Sequence, residues 1–346
     1  MAAPTPAAGG YSMPAEWAPH ERTLVVWPAR RSLWGADLAS ARAAYAAAIR
    51  AVARFEPVTV VANVGAGPDA AATLGPTPGV EVVEEPVDDS WVRDTGPLVV
   101  TDASGRRRAV DFRFNGWGER YRPYDADAGL AARLAERLGL PRDPAPLVLE
   151  GGAITVDGAG TLVTTEQCLL NPNRNPGRSR AEVDAVLHEW LGVERVVWLA
   201  AGLVEDRDTD GHVDNVCAFV APGVALVQGT ADRHSADAPI LDDARRRLER
   251  AGIAVSVVDV LPVVDVDDRA VAIPPLNFYQ CNDGGVVVPV AEGDPAARDA
   301  AVGAIAALLP DRRVVGVPGT ALARGGGGVH CITQQVPAGS AARPGT

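Results

Sequence analysis

Lysine is absent from all 346 positions, so each of the 32 basic residues is an arginine. Beside abundant Gly, Ala, Val and Pro, this is compositional bias rather than mechanism. A Walker-type phosphate loop is excluded: the run Gly325–Gly328 continues into Val329-His330-Cys331, not into Lys-Ser/Thr, and no usable GxGxxG motif occurs. Cysteine is scarce, and Cys168, Cys217, Cys281 and Cys331 are widely spaced with no CxxC. That excludes a disulfide framework and points to a reducing compartment, hence a cytoplasmic protein. Histidine is as sparse, and the absence of HxxxH or HxH argues against a metal site. No apolar run reaches the ~18 residues a membrane span needs. The Ala/Pro/Gly-rich start lacks the basic and apolar regions of a signal peptide, so residues 1–12 read as a disordered tail, and 339–346 as a second. Positive charge is also short: the net charge of −12 argues against nucleic acid or an anionic membrane and is compatible with a cationic ligand.

What is present has a rhythm. Helical patterns at Asp37–Arg54, Asp125–Leu138, Ser179–Leu191, Ser235–Ala251 and Pro295–Leu308 are each followed by a strand and then a polar or glycine-rich stretch. Pro57–Val64 is a nearly continuous apolar run, as in a strand covered on both faces. Strand pairs are expected at 153–156 with 161–164, at 216–220 with 224–228, and at 277–281 with 286–290, each across a turn signal. The residues Asp94, Glu150, His212, Asn277 and Cys331 recur at intervals of ~60, one reactive or polar side chain at the same point of each unit. Sequence identity between the units is not evident. No linker divides the chain, so residues 13–338 form a single α/β domain.

The chemistry concentrates at those points. Cys331 follows four glycines and opens an expected strand, Cys331–Val336. A thiol there is either a small buried hydrophobe or a nucleophile, if nearby groups make it a thiolate. His212 and Asp214, two apart, would share a face of a strand. The alternative for His212 is a locally bonded loop histidine, and for its neighbours Asp206, Asp208 and Asp210 a solvated acidic turn. Asp94 could simply cap a turn, whereas Glu150 before Gly151-Gly152 is a poor turn former. One thiol, one imidazole and several carboxylates suit a guanidinium, a planar cation with an electrophilic carbon that paired carboxylates can hold in bidentate fashion.

The ordered motifs then carry a resemblance. They are Met13-Pro14-Ala15-Glu16-Trp17 with His20-Glu21, Trp91-x-Arg93-Asp94-x-Gly96-Pro97, Asn115-Gly116-Trp117-Gly118, and Glu150-Gly151-Gly152. They continue with Glu166-x-Cys168-Leu169-Leu170-Asn171-x-Asn173-Arg174-Asn175, Asp208-Thr209-x-Gly211-His212-x-Asp214-Asn215 and the His330–Gln335 end. Together they resemble the agmatine deiminases, of the agmatine and bacterial-type peptidylarginine deiminase group. The resemblance implies a five-bladed, pseudo-symmetric α/β propeller (pentein) with the site on its axis, no cofactor, and agmatine as a small cationic substrate. By motif, Cys331 resembles the nucleophile that forms an amidino-cysteine intermediate, and His212 the general acid and base. Asp94 and Asp214 match the guanidinium-binding carboxylates, Glu150 and Asp208 further substrate-site acids, and Trp91 a wall of the pocket. Free or peptidyl arginine is the alternative substrate, with Arg113 and Arg120 as candidate partners for its carboxylate. A catalytically silent guanidine or polyamine binder is another reading, and homo-oligomerisation is left open. Three departures stand out: Asp210 where the family pattern has Asn, Thr95 where many members have Cys, and Arg120 in place of a lysine.

Overall fold

The computed structural model describes residues 4–266 and 269–341. Its strands form five separate sheets of three or more strands and one further hairpin, Val263–Val266 with Arg269–Ala272. The five sheets share one pattern: an antiparallel pair, then a helix, then a strand parallel to the second member of the pair. Ile154–Val156 runs antiparallel to Thr161–Thr165, and Arg195–Leu199 is parallel to the latter. Cys217–Ala221, Val224–Gln228 and Ala254–Val258 repeat this, as do Tyr279–Gln280, Gly285–Val290 and Arg313–Pro318. Leu98–Thr101, Arg106–Arg113 and Arg142–Val148 form another such set. In the remaining sheet the antiparallel partner of His20–Val26 is Gln334–Pro337, from the far end of the chain, while Val58–Ala62 and Val80–Glu84 follow in parallel. The first unit is thus completed by the last strand.

Parallel pairing demands a crossover, and the five expected helices supply it. Leu38–Val52, Leu130–Arg137, Arg180–Leu191, Ala238–Arg250 and Pro295–Leu308 each lie between the two parallel strands of one sheet. Local chemistry sets their ends. Ser179 and Glu182 form a reciprocal capping box at the start of Arg180–Leu191, and Gly192 ends it in the left-handed region. The inner face of Leu38–Val52 buries Tyr45, Ile49 and Val52 in one cluster with Val25, Val58 and Val60. Each such aliphatic side chain contributes roughly 1.5–3 kcal/mol. Val58–Ala62 is buried at all five positions, as its unbroken apolar run requires.

Several expectations are corrected. Residues 6–12 are not a loose tail: Tyr11 and Met13 pack with Leu98, Leu187 and Leu191, and Ser12 bridges Thr101. Two large apolar side chains anchor a segment whose Ala/Pro/Gly composition suggested none. At the other end Ser340–Ala341 pairs with Arg106-Arg107, and 342–346 lie outside the described residues. The helix expected over Asp125–Leu138 is divided at Gly129 into Asp125–Ala128 and Leu130–Arg137. Cys331 lies in a turn, three residues before the strand that starts at Gln334. His212 precedes a short 3-10 turn, Val213–Asn215, rather than a strand, so it and Asp214 do not share a pleated face.

What positions the site is the segment just before each antiparallel pair. Trp91–Asp94 precedes Leu98–Thr101, Glu150 precedes Ile154–Val156, and His212–Asp214 precedes Cys217–Ala221. Asn277 precedes Tyr279–Gln280, and Cys331 precedes Gln334–Pro337. The loop entering Trp91 is pinned by Asp127, whose carboxylate accepts the backbone N–H groups of Asp88 and Asp89. Burial pushes Asp127 up to about 7 and Asp89 up to about 6. A carboxyl group raised in the native state binds its proton more tightly there than in the unfolded chain. Stability therefore falls as pH climbs from about 4 through about 7. Asp127→Asn keeps an acceptor oxygen without the charge. Urea unfolding should show it gaining on the wild type between about pH 5 and about pH 8, by a few kcal/mol at most. A variant whose deficit is the same at both pH values would contradict this account.

Candidate active site

Asp94 sits on the short helix Val92–Thr95 and is fixed by two donors. Trp117 Nε1 donates to its Oδ2 at 2.9 Å, and the Gly152 backbone N–H donates to its Oδ1 at 2.9 Å. The first donor is aimed by a turn in which Trp117 has φ 53° and Gly118 donates to Asn115 Oδ1. Glu150 is fully buried, and its Oε1 accepts from Arg174 Nε at 2.5 Å. His212 is held by its backbone, whose N–H donates to Asp206 Oδ2 at 3.1 Å and Thr209 Oγ1 at 3.0 Å. Its imidazole lies between carboxylates, with Nδ1 3.8 Å from Asp94 Oδ1 and Nε2 3.9 Å from Glu150 Oε2. These are charge contacts, too long for hydrogen bonds.

Asp214 Oδ2 is shared by two groups, His330 Nδ1 at 3.0 Å and Cys331 Sγ at 3.4 Å. Asn277 Nδ2 approaches the same sulfur at 3.4 Å, while Asn277 Oδ1 accepts from the His330 backbone N–H at 3.0 Å. Three buried polar atoms here, Glu150 Oε2, His212 Nε2 and Asp214 Oδ1, have no hydrogen-bond partner. Glycine is required at the centre: a Cβ on Gly152 would lie 2.6 Å from His212 Nδ1, 2.9 Å from Asp94 Oδ1 and 3.0 Å from Asp214 Oδ2. A second is required at Gly327, where a Cβ would stand 2.5 Å from the Trp91 ring and 3.0 Å from Cys331 Cβ. The site opens through a cleft of about 350 Å³ lined by Trp91, Asp94, Trp117, Tyr121, Asp208 and Cys331. Tyr121 Oη donates to Asp208 Oδ1 at 2.5 Å, and Trp91 packs on Trp34 with ring centroids 5.9 Å apart.

The charges divide the groups. Burial, with Asp214 and Glu150 beside it, pushes Asp94 up despite the His212 ring. Burial would raise Asp214 as well, but the His330 ring outweighs it and holds this carboxylate below its ordinary range. For His212 burial favours the neutral ring, and the carboxylates of Asp94, Glu150, Asp214 and Asp206 overcome it, so the imidazolium is favoured. Burial, then Asp214 and Asp94, push the Cys331 thiol well above its usual range. Two carboxylates displaced in opposite directions beside a cationic imidazole are the mark of a site built for proton transfer.

All seven residues singled out in the sequence are here. Asp94, Glu150, His212, Asp214 and Cys331 form one contact network, and Asp208 and Trp91 line its cleft. Asn277, first noted only for its spacing, contacts the sulfur. Sequence reasoning passed over His330, because its spacing suited no metal, and also Trp117, Gly152, Arg174 and Glu16. The position of His330 next to Cys331 was a signal that went unused. Two departures from the family pattern meet each other: Arg120 Nη2 lies 3.0 Å from Asp210 Oδ1, and Asp210 Oδ2 accepts from Arg174 Nη1 at 2.9 Å. Asp210 occupies the left-handed region at φ 61°, which Asn and Asp tolerate best. Thr95 only donates to the Trp91 carbonyl. Among the described residues, Glu150, Cys168 and His212 bring donor atoms within 4.8 Å of one another. The charge of Glu150 is already balanced by Arg174 through Oε1, which argues against a cation held among these three.

The family model of Porphyromonas-type peptidyl-arginine deiminases matches residues 12–337, and the chain belongs to that family. The agmatine deiminase of Stutzerimonas stutzeri (strain A1501) is 42% identical over 362 residues, covering 96% of this chain and 97% of that one. The agmatine deiminase of Pseudomonas aeruginosa (strain LESB58) is 42% identical over 366 residues, with the same coverage of 96% and 97%. Among solved structures, the agmatine deiminase of Enterococcus faecalis matches with a TM-score of 0.91 at 33% identity, covering 97% of this chain and 98% of that one. The fold is the α/β pentein type of these relatives. Among the described residues no helix is long and apolar enough to cross a membrane.

The Glu150–Arg174 pair generates a stability prediction. Both side chains are fully buried, and Arg174 also donates to the Thr209 carbonyl. Arg174→Met strands a buried carboxylate and should cost about 3–5 kcal/mol in denaturant unfolding. A loss under about 1 kcal/mol would mean that the pair is not the counter-charge it resembles.

Proposed function

We propose that this chain is an agmatine deiminase, a hydrolase of linear amidines that converts agmatine and water to N-carbamoylputrescine and ammonia. The observation that carries the reading is the convergence of His212, Asp94 and Asp214 on Gly152, with Cys331 Sγ against Asp214 and with Cys331 and Asp94 lining the cleft. A guanidinium at the base of that cleft pairs with Asp94 and Asp214, and its carbon faces the sulfur. The cation also offsets the two carboxylates that push the thiol up, so the substrate helps ionise its own nucleophile. The Cys331 thiol releases its proton to solvent, and the thiolate sulfur then adds to the guanidinium carbon. His212 donates a proton to the departing nitrogen, and ammonia leaves an amidino-cysteine. A water that gives its proton to His212 adds to the same carbon, and the C–S bond breaks to restore the cysteine. Water is the only co-reactant, so no cofactor is called for.

The tail of the substrate decides its class. Asp208 and Asp89 line the cleft, which suits the ammonium of agmatine. The α-carboxylate of arginine would need a cation there; of the two candidates, Arg120 is paired with Asp210, and Arg113 does not line the cleft. Glu150 is assigned to orient the guanidinium and His212, and Trp91 to wall the aliphatic chain. We read the five repeated units as blades of a propeller with the site on its axis, a reading supported by one focal residue at the same point of each unit. Four unpaired cysteines support a cytoplasmic location.

Purified protein should release ammonia from agmatine with a bell-shaped pH dependence, and Cys331→Ala should release none. Arginine should be turned over at least about 100-fold less efficiently, equal to some 2.7 kcal/mol of transition-state binding. Binding of agmatine without ammonia release would instead make the chain a silent guanidine binder. Equal turnover of arginine would remove the assignment of the acidic cleft to an ammonium.

A further inference from the structure

His330 precedes the nucleophile, and its ring is occupied at both nitrogens by carboxylates. Nδ1 lies 3.0 Å from Asp214 Oδ2, and Nε2 lies 2.8 Å from Glu16 Oε2. An ionised carboxylate can only accept, so two of them on one imidazole require an N–H on each nitrogen. The ring therefore carries a positive charge. Glu16 is itself fixed, by Arg93 Nη2 on Oε2 at 3.3 Å and by the Gln280 backbone N–H on Oε1 at 2.9 Å. The groups facing the ring are Glu16, Asp214, Arg93 and the Cys331 thiol. Arg93 disfavours the cation, whereas the two carboxylates favour it, and burial acts against them. The ring and the Cys331 sulfur touch the same oxygen of Asp214, which puts cation and nucleophile within two contact lengths. Glu16, Arg93, Asp214 and His330 also line a second cavity of about 480 Å³, separate from the cleft that Cys331 and Asp94 line.

We propose that His330 is a positioning residue for the deiminase reaction: an imidazolium clamped by Glu16 that orients Asp214 and acts as the fixed counter-charge for the Cys331 thiolate. This goes beyond the proposed function while resting on its assignment of Cys331 and Asp214. The clamp occupies Oδ2 of Asp214 and leaves Oδ1 as the atom available to the guanidinium. It also sets a cation near a sulfur whose other charged neighbours, Asp214 and Asp94, are acids. Once water has added and the product leaves as a neutral urea, the substrate's charge is gone but this cation remains, and it is available to stabilise the thiolate as the C–S bond breaks.

The test is Glu16→Gln, which keeps an oxygen for the Gln280 N–H and removes one of the two charges that hold the imidazolium. The variant's ring should lose its proton at lower pH, so the defect should grow with pH. In kcat/KM for agmatine it should stay within about threefold of wild type near pH 6 and fall by about tenfold or more near pH 8.5, with the alkaline limb about one unit more acidic. Inactivation by iodoacetamide should slow over the same range, and Glu16→Asp, which keeps the charge, should recover part of the alkaline activity. A loss equal at all pH values, or no loss, would overturn the proposal. Should Glu16→Gln not fold, carbon-13 histidine NMR of the wild type decides it, with His330→Gln identifying the signal. A His330 resonance that remains imidazolium through about pH 8 supports the clamp, and one that titrates near the ordinary value of about 6.5 overturns it. If agmatine is not turned over at all, the function itself fails, and the NMR result still judges the clamp.

Discussion

Four carboxylates, Asp94, Glu150, Asp206 and Asp214, crowd round one buried imidazole, and the rest of the site is arranged to make that tolerable. Each has a counterweight supplied by a different part of the chain. Asp94 has the indole N–H of Trp117 and a backbone N–H, and Glu150 has Arg174. Asp206 has the Thr209 hydroxyl and the His212 backbone, and Asp214 has His330. A buried charge without such a partner costs several kcal/mol. The arrangement falls short of full satisfaction, with a carboxylate oxygen on Glu150 and another on Asp214 lacking hydrogen-bond partners. A bound planar cation answers that shortfall, so charge selects the ligand before shape does.

The fold makes this crowding possible because each unit contributes one side chain from the same place, the segment entering an antiparallel pair. Each of these segments is held by hydrogen bonds and runs directly into a strand, so side chains distant in sequence meet with little freedom to separate. The glycines complete the arrangement. At Gly152 and Gly327 the need is for space, since any Cβ would fall on His212, Asp94, the Trp91 ring or Cys331 itself.

Much of this was legible in the sequence. The five helices, the apolar run at Val58–Ala62 and the ~60-residue spacing of polar residues follow from periodicity and turn chemistry, which are local signals. The grouping of Cys331, His212, Asp94 and Asp214 was an expectation carried by the ordered motifs, and the structure brings these side chains close together. Long-range partnership was not legible. Nothing local to Glu16 announces that it reaches His330, more than 300 residues away, or that Trp117 donates to Asp94. The 3-10 turn at Val213–Asn215 also defeated a strand reading, because Asp214 is turned by the bonds that fix His212 rather than by a pleat. Asp210 and Arg120 looked like independent departures and prove to be an ion pair, a compensation visible only in three dimensions.

The central claim is that Cys331 carries the substrate covalently. Rapid-quench mass spectrometry during agmatine turnover, with digestion to the Cys331 peptide, examines it directly. The account predicts a transient increment on Cys331 equal to agmatine less ammonia, appearing with the first ammonia released and decaying as N-carbamoylputrescine forms. Ammonia release from a Cys331→Ser variant at the wild-type rate, with no adduct on the wild-type peptide at any quench time, would contradict it.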